Sequence, residues 1–231
     1  MITVPDRLLG LPGITVLHRS EGLLALTKEL TEPLYDRQSL LRMHVLIQLR
    51  AGSQEIETDT GNRLRLAAGD ERLLRRGIYS VTDLLPPDGD PFLARLLYFD
   101  ERVLRTGNDG PADRAALLTE LRSLDNIDQL TARRRTDPLP FLERHFDKPL
   151  TLEDFALLTG SSVSTFQRTF RQRTGTSPRR WIIEKRMARA RDLLSRQNYR
   201  TRDLALAVGY RNTSHFIRQY RATFGHTPTD I

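Results

Sequence analysis

The chain has 231 residues, 39% hydrophobic and 28% charged, with 14 glycines and 12 prolines, the composition of an ordinary globular protein with enough chain for one large domain or two modest ones. It holds no cysteine, which excludes a disulfide scaffold, a thiolate metal site and a cysteine nucleophile, and makes a reducing cytosol the natural compartment. The formal net charge of +7 lies entirely in residues 137–231, with 17 Lys and Arg against 9 Asp and Glu; residues 1–136 carry 19 against 20, so one half calls for a polyanionic partner, most often nucleic acid.

The first thirty residues mix Asp6, Arg7, His18, Arg19 and Glu21 with apolar ones, so they read as neither a signal-peptide core nor a membrane span, and a cytoplasmic location is expected. Pro5, Pro12 and Pro33 with Gly10, Gly13 and Gly22 give residues 1–39 an irregular reading with one or two strands, for example Ile14 to His18 and Gly22 to Thr27. From Leu40 to Asp100 the runs SLLRMHVLIQL, QEIET, RLRLA, RLLRRGIYSVTDLL and FLARLLYF are separated by AGS, DTGN, AAGD and PPDGDP. Short apolar or alternating runs between turn residues predict a small antiparallel barrel or sandwich over residues 1–106. Within it Ile78, Tyr79, Val81, Leu96 and Tyr98 are candidates to line a ligand or partner site at the barrel mouth; the alternative is that they fill a small barrel.

Residues 107–136 read as a helical segment and a basic linker. TGNDGP is a turn-rich break, and ADRAALLTELRSL then places Leu117, Leu121 and Leu124 on one helix face. That face either packs on the barrel or forms a homodimer seam. The tract ARRRTDPLP is a linker ending in a proline-marked helix start at Asp137 or Pro138.

The C-terminal stretch, residues 137–231, is predicted to be helical and contains an internal repeat. At an offset of 50, residues 164–178 (STFQRTFRQRTGTSP) and 214–228 (SHFIRQYRATFGHTP) share Ser164 with Ser214, Phe166 with Phe216, Arg168 with Arg218, Arg171 with Arg221, Gly175 with Gly225 and Pro178 with Pro228. Upstream, at offset 49, Asp154, Ala156 and Gly160 match Asp203, Ala205 and Gly209, so the second copy has one extra residue in its turn. Each copy has the form of a helix-turn-helix, over residues 151–175 and 201–225. In the first, Thr151 caps one helix, Gly160 turns, Ser162 or Ser164 caps the next, Phe166 and Phe170 face inward, Gly175 ends the helix and Pro178 opens another. In the second, Thr201 caps, Gly209 turns, Asn212 caps, Phe216 and Tyr220 face inward, and Gly225 and Pro228 close. Between the copies PRRWIIEKRMARARDLLSRQN is an amphipathic helix of about 18 residues, about 27 Å long. Its inner positions are Ile183, Met187, Ala190 and Leu194, and its outer face carries Arg179, Arg180, Lys185, Arg186, Arg189 and Arg191. A rod of that length suits two recognition helices in successive major grooves, about 34 Å apart.

These residues carry a resemblance. PLTLEDFALLTGSSVSTFQRTFRQRTGTSPRRW and RDLALAVGYRNTSHFIRQYRATFGHTP resemble the DNA-binding domain of the AraC/XylS family of transcriptional regulators. LAAGDERLLRRGIYSV resembles the barrel segment of its ExsA-like activators of type III secretion. The resemblance implies an α+β multidomain chain, a small antiparallel cupin-like β-barrel followed by an all-α double helix-turn-helix. It implies a cytoplasmic activator without cofactor that binds double-stranded promoter DNA, recruits RNA polymerase and answers to an anti-activator or other regulatory protein. The alternative is control by a small-molecule ligand in the barrel. The N-terminal half is shorter than is common in that family, which leaves the mode of homodimer formation open.

By the same resemblance, Ser164, Gln167 and Arg168 in the first recognition helix and Thr213, Ser214, His215, Ile217 and Arg218 in the second occupy base-reading positions. Their chemistry agrees in part, since Arg forks onto guanine, Gln onto adenine, and an aliphatic side chain meets the thymine methyl. Arg171, Arg179, Arg180 and Arg221 are placed for phosphates, which position without specifying. The competing structural reading pairs Arg168 with Asp154 and Arg218 with Asp203, and leaves His215 a neutral surface group.

Other classes are weaker. The chain has no GxSxG, GxxxxGK[ST], HExxH or glycine-rich dinucleotide loop, so no enzyme is expected. His18 and His44 are far apart without carboxylate spacing, so no metal is expected. The basic amphipathic helix resembles an interfacial one, but its apolar face is needed to seat both helix-turn-helix units, so no membrane partner is expected.

Overall fold

The protein is described by a computed structural model over residues 2–106, 111–125, 127, 135–197 and 199–229. The chain divides into two compact units, Met1–Ala132 and Arg133–Ile231. Residues 107–110 of the TGNDGP break and 132–134 at the start of the ARRRTDPLP tract lie outside the described residues.

Among the described residues the first unit has ten strands: β1 (Ile2–Val4), β2 (Ile14–Ser20), β3 (Leu23–Leu30), β4 (Leu34–Leu41), β5 (His44–Ala51), β6 (Ser53–Thr58), β7 (Arg63–Ala67), β8 (Glu71–Leu74), β9 (Gly77–Leu84) and β10 (Phe92–Phe99). They form two five-stranded sheets, ordered β1-β4-β9-β6-β7 and β2-β3-β10-β5-β8. All pairs are antiparallel except β1 with β4. The expected small antiparallel barrel or sandwich is thus found as two largely antiparallel sheets, with one parallel pair added. Residues 1–39 are more regular than expected: they contribute three complete strands and most of β4.

Leu24, Leu26, Val45, Ile47, Leu49, Leu96 and Tyr98 of one sheet meet Val4, Leu41, Ile56 and Leu66 of the other in a single core. Strands β3, β5 and β10 are apolar on both faces because each face is covered. Their second face, Leu23, Ala25, Leu46, Leu97 and Phe99, packs against helix α1 (Ala112–Arg122) through Leu117, Leu118 and Leu121, with Leu124 half-buried beside them. Of the two readings of Leu117, Leu121 and Leu124, this is the one in which the helix packs on its own barrel. Arg95 of β10 forks onto Glu120 of α1 at 2.6 and 2.9 Å, and His18 Nδ1 lies 2.6 Å from Asp113 Oδ2.

The second unit holds α2 (Pro138–His145), α3 (Leu152–Leu158), α4 (Val163–Thr174), α5 (Pro178–Arg196), α6 (Thr201–Ala207) and α7 (Thr213–Phe224). Rings of Phe141, Phe155, Phe166, Phe170 and Trp181 follow one another at centroid distances of 5.8 to 6.5 Å and seat the first repeat. Leu204, Val208, Tyr210, Phe216 and Tyr220 pack with Met187 and Ala190 of α5 and seat the second. On α5 the buried positions are Pro178, Ile182, Met187 and Ala190; Ile183 and Leu194 are half-buried against the second cluster.

Candidate nucleic-acid interface

The local chemistry of the two copies is similar but not identical. Thr151 caps α3 in a reciprocal box with Asp154, whose carboxylate accepts from the Thr151 amide at 2.9 Å and hydroxyl at 3.1 Å. The matching position of α6 has Arg200 at the N-cap with no side-chain bond, and Thr201 is the first helical residue, which corrects the reading of Thr201 as a cap. Ser162 caps α4 and Asn212 caps α7, accepting from the amides of Thr165 at 3.2 Å and His215 at 2.8 Å. Both recognition helices end at a glycine with positive φ, Gly175 at 71° and Gly225 at 82°.

With Phe166 and Phe170 buried, α4 turns Ser164, Gln167, Arg168, Arg171 and Gln172 outward, and these five line one shallow surface hollow. Four of them are sequence-predicted; Gln172, one turn beyond Arg168, is added by the geometry. With Phe216 and Tyr220 buried, α7 exposes Ser214, His215, Arg218 and Arg221. Thr213 is half-buried, and Ile217 is half-buried against the second core cluster, so part of the surface assigned to a thymine methyl is spent on packing. The His215 ring stands edge-on to Tyr210 at 5.4 Å.

Asp154 is 2% exposed and committed to its cap, and Arg168 and Arg218 are both exposed. Among the described residues neither arginine has a carboxylate partner, and Arg171, Arg179 and Arg221 also lack one. Arg180 differs, with its Nε 2.8 Å from Glu184 on the solvent side of α5. Arg168 with Arg171, and Arg218 with Arg221, are thus equivalent open pairs, each three residues apart on a helix whose opposite side is aromatic core. Open guanidiniums of this kind suit bidentate contact with guanine or phosphate.

In the first unit Val81, Leu96 and Tyr98 line an internal cavity of about 60 Å3, whereas Ile78 is buried outside it. Tyr79 packs at the core edge and donates its hydroxyl to the Arg75 carbonyl at 2.9 Å. The cavity also holds what the sequence does not reveal, Lys28 ion-paired with Asp83, whose other oxygen accepts from Gln54 at 2.6 Å. Burial holds the Tyr98 hydroxyl far above its ordinary range and raises Tyr79 to about 12. Among the described residues no three His, Asp or Glu side chains gather as a metal site, and no helix is long and apolar enough to cross a membrane.

The second unit is thus a paired helix-turn-helix, two recognition helices carried on one rod. A family profile described as a helix-turn-helix domain matches residues 155–231. The chain is 34% identical over 159 residues to the HTH-type transcriptional regulator ExsA of Pseudomonas aeruginosa, covering 68% of this chain and 53% of that protein. It is 35% identical over 157 residues to the thermoregulatory protein LcrF of Yersinia pestis, covering 68% and 55%. A solved transcriptional regulator from Chromobacterium violaceum, of AraC-type DNA-binding-domain proteins, is 32% identical over 41% of this chain and 84% of its own, with a TM-score of 0.36. The chain belongs to the AraC/XylS family, and spans about half the length of the curated relatives it matches.

Proposed function

We propose that this chain is a DNA-binding transcriptional regulator that sets α4 and α7 in successive major grooves of one promoter duplex. In this reading residues 137–231 form the DNA-binding domain and 1–106 the regulatory domain, to which the helix of the 107–136 segment belongs by its packing, with the basic tract before 137 as linker. The observation that carries it is the repeated open arginine pair, Arg168 with Arg171 and Arg218 with Arg221. Ser164, Gln167, Arg168, Ser214, His215 and Arg218 read base edges, with Thr213 and Ile217 at the margin; Arg171, Arg179, Arg180 and Arg221 hold phosphates. The 19-residue α5 is about 28 Å long, close to the roughly 34 Å between successive major grooves on one face.

The regulator acts as an activator that recruits RNA polymerase, with type III secretion genes the targets that the resemblance implies, and its signal comes from another protein. The small cavity favours a protein signal over a ligand: at about 60 Å3 it is well below the roughly 300 Å3 of a small-molecule site. Its buried Lys28 and Asp83 already neutralise one another. No catalytic role is assigned. The test is fluorescence anisotropy of the full chain on a duplex that it enriches from a random library. The dissociation constant is expected to rise at least about tenfold between 50 and 300 mM salt, because several arginines displace counterions; equal affinity at both would count against the reading.

A further inference from the structure

Arg186 stands near the middle of α5, among the outward basic residues by spacing, yet its side chain turns inward. Its Nε donates to the Phe146 carbonyl and its Nη2 to the Lys148 carbonyl, both at 2.6 Å. Phe146–Lys148 is the turn between α2 and α3, at the entry to the first helix-turn-helix. The same guanidinium lies 5.3 Å from the ring centroid of Tyr210, in the turn between α6 and α7 of the second. The two turns also touch directly. Gly209 has φ of 86°, and a Cβ placed there would stand 2.7 Å from the Asp147 carbonyl oxygen, so only glycine lets the backbones approach this closely.

The first turn is tied to its own repeat, because the Phe146 ring meets Trp181 at 6.3 Å and Trp181 meets Phe170 of α4 at 5.8 Å. The second is tied to α7, because Tyr210 packs on Phe216 at 5.5 Å. A chain of contacts therefore runs from α4 through Trp181, Phe146, Arg186 and Tyr210 to α7, anchored on the rod by Trp181 and Arg186. A planar fork suits two carbonyls and one aromatic face at once; an ammonium offers no such geometry.

We propose that Arg186 is a positioning residue that locks the two helix-turn-helix units into one register and thereby fixes the half-site spacing the protein accepts. The proposal rests on the reading that both recognition helices engage one duplex. A locked head binds a correctly spaced site without ordering its halves first, and is penalised when the spacing changes.

The test uses the full chain, the duplex that it enriches from a random library, the same duplex with one base pair inserted between its two contacted segments, and a random duplex of equal length. Wild type is expected to lose about tenfold on the insertion. Arg186→Met is expected to lose about tenfold on the enriched duplex, to keep its affinity for random DNA within about twofold, and to show an insertion penalty reduced to about threefold or less. Arg186→Lys keeps the charge without the fork, is expected to fall between, and carries the test if Arg186→Met does not fold. Equal losses on enriched and random DNA with an unchanged insertion penalty would overturn the proposal and leave Arg186 a stability residue. A wild-type chain indifferent to the insertion would overturn the two-groove reading and this proposal with it.

Discussion

Both units are rich in arginine, but what surrounds the guanidinium groups differs. In the first, Arg95 and Arg76, both shielded from solvent, are paired with Glu120 and Glu101, and the buried Lys28 with Asp83. In the second, Arg168, Arg171, Arg218 and Arg221 stand exposed on two equivalent helix faces with no carboxylate partner among the described residues. A cation that holds a fold together is neutralised within reach, because an unpaired buried charge is costly. A cation meant for a polyanion is left open on a rigid element, where the partner supplies the counter-charge.

The largest expected effect breaks the first side of that contrast. Lys28→Met leaves Asp83, 2% exposed, without its cation, and is expected to cost about 3–5 kcal/mol in denaturant unfolding of the full chain. Adding Asp83→Leu is expected to recover most of the loss. A single variant as stable as wild type would show that the pair carries little.

Next comes His44, packed on Phe99 at 5.5 Å, with its Nε2 3.5 Å from Glu101. Burial first, then the nearby Arg76, lower its pKa from 6.5 to about 4. The folded chain thus resists a proton that the unfolded chain takes up, so the stabilisation is complete above about pH 6.5 and is lost as pH falls through 4. The span is about 3 kcal/mol. His44→Phe is expected to flatten stability against pH between 6.5 and 4, and an unchanged profile would assign that acid sensitivity elsewhere.

Smaller effects probe the open side. Arg168→Ala and Arg218→Ala are each expected to cost about 1–3 kcal/mol on the enriched duplex while sparing most affinity for random DNA, read by anisotropy. Equal losses on both would make these arginines phosphate contacts. The smallest effect separates the two repeats: Thr151→Ala removes a capping box and is expected to cost about 1 kcal/mol in thermal unfolding, whereas Thr201→Ala removes no cap bond and is expected to cost a few tenths.

What was legible in the sequence was local. The helix cap at Asn212, the cap narrowed to Ser162 or Ser164, the glycine stops at 175 and 225, and the inward pairs Phe166 with Phe170 and Phe216 with Tyr220 follow from spacing within one or two turns. What was missed depends on distant partners. Residues 1–39 look irregular because their strands pair with partners far along the chain, β1 with β4 in parallel, β4 with β9, and β3 with β10, where Leu26 pairs with Leu96. Leu117 and Leu121 have the same spacing whether a helix packs on its own sheet or on a second copy, and only the apolar face of Leu23, Ala25 and Leu97 decides between them. Lys28 and Asp83 are 55 residues apart. Arg186 reaches backbone carbonyls, which leave no mark in a sequence, so it reads as one more basic residue on an exposed face.

The central claim is that two equivalent helices of one chain read two segments of one duplex. Methylation protection of guanine N7 on the enriched duplex tests it most directly, with wild type, Arg168→Ala and Arg218→Ala compared. Two protected major-groove segments about one helical turn apart are predicted, each variant losing protection in a different segment. A single protected segment, or loss of the same guanines in both variants, would contradict the account.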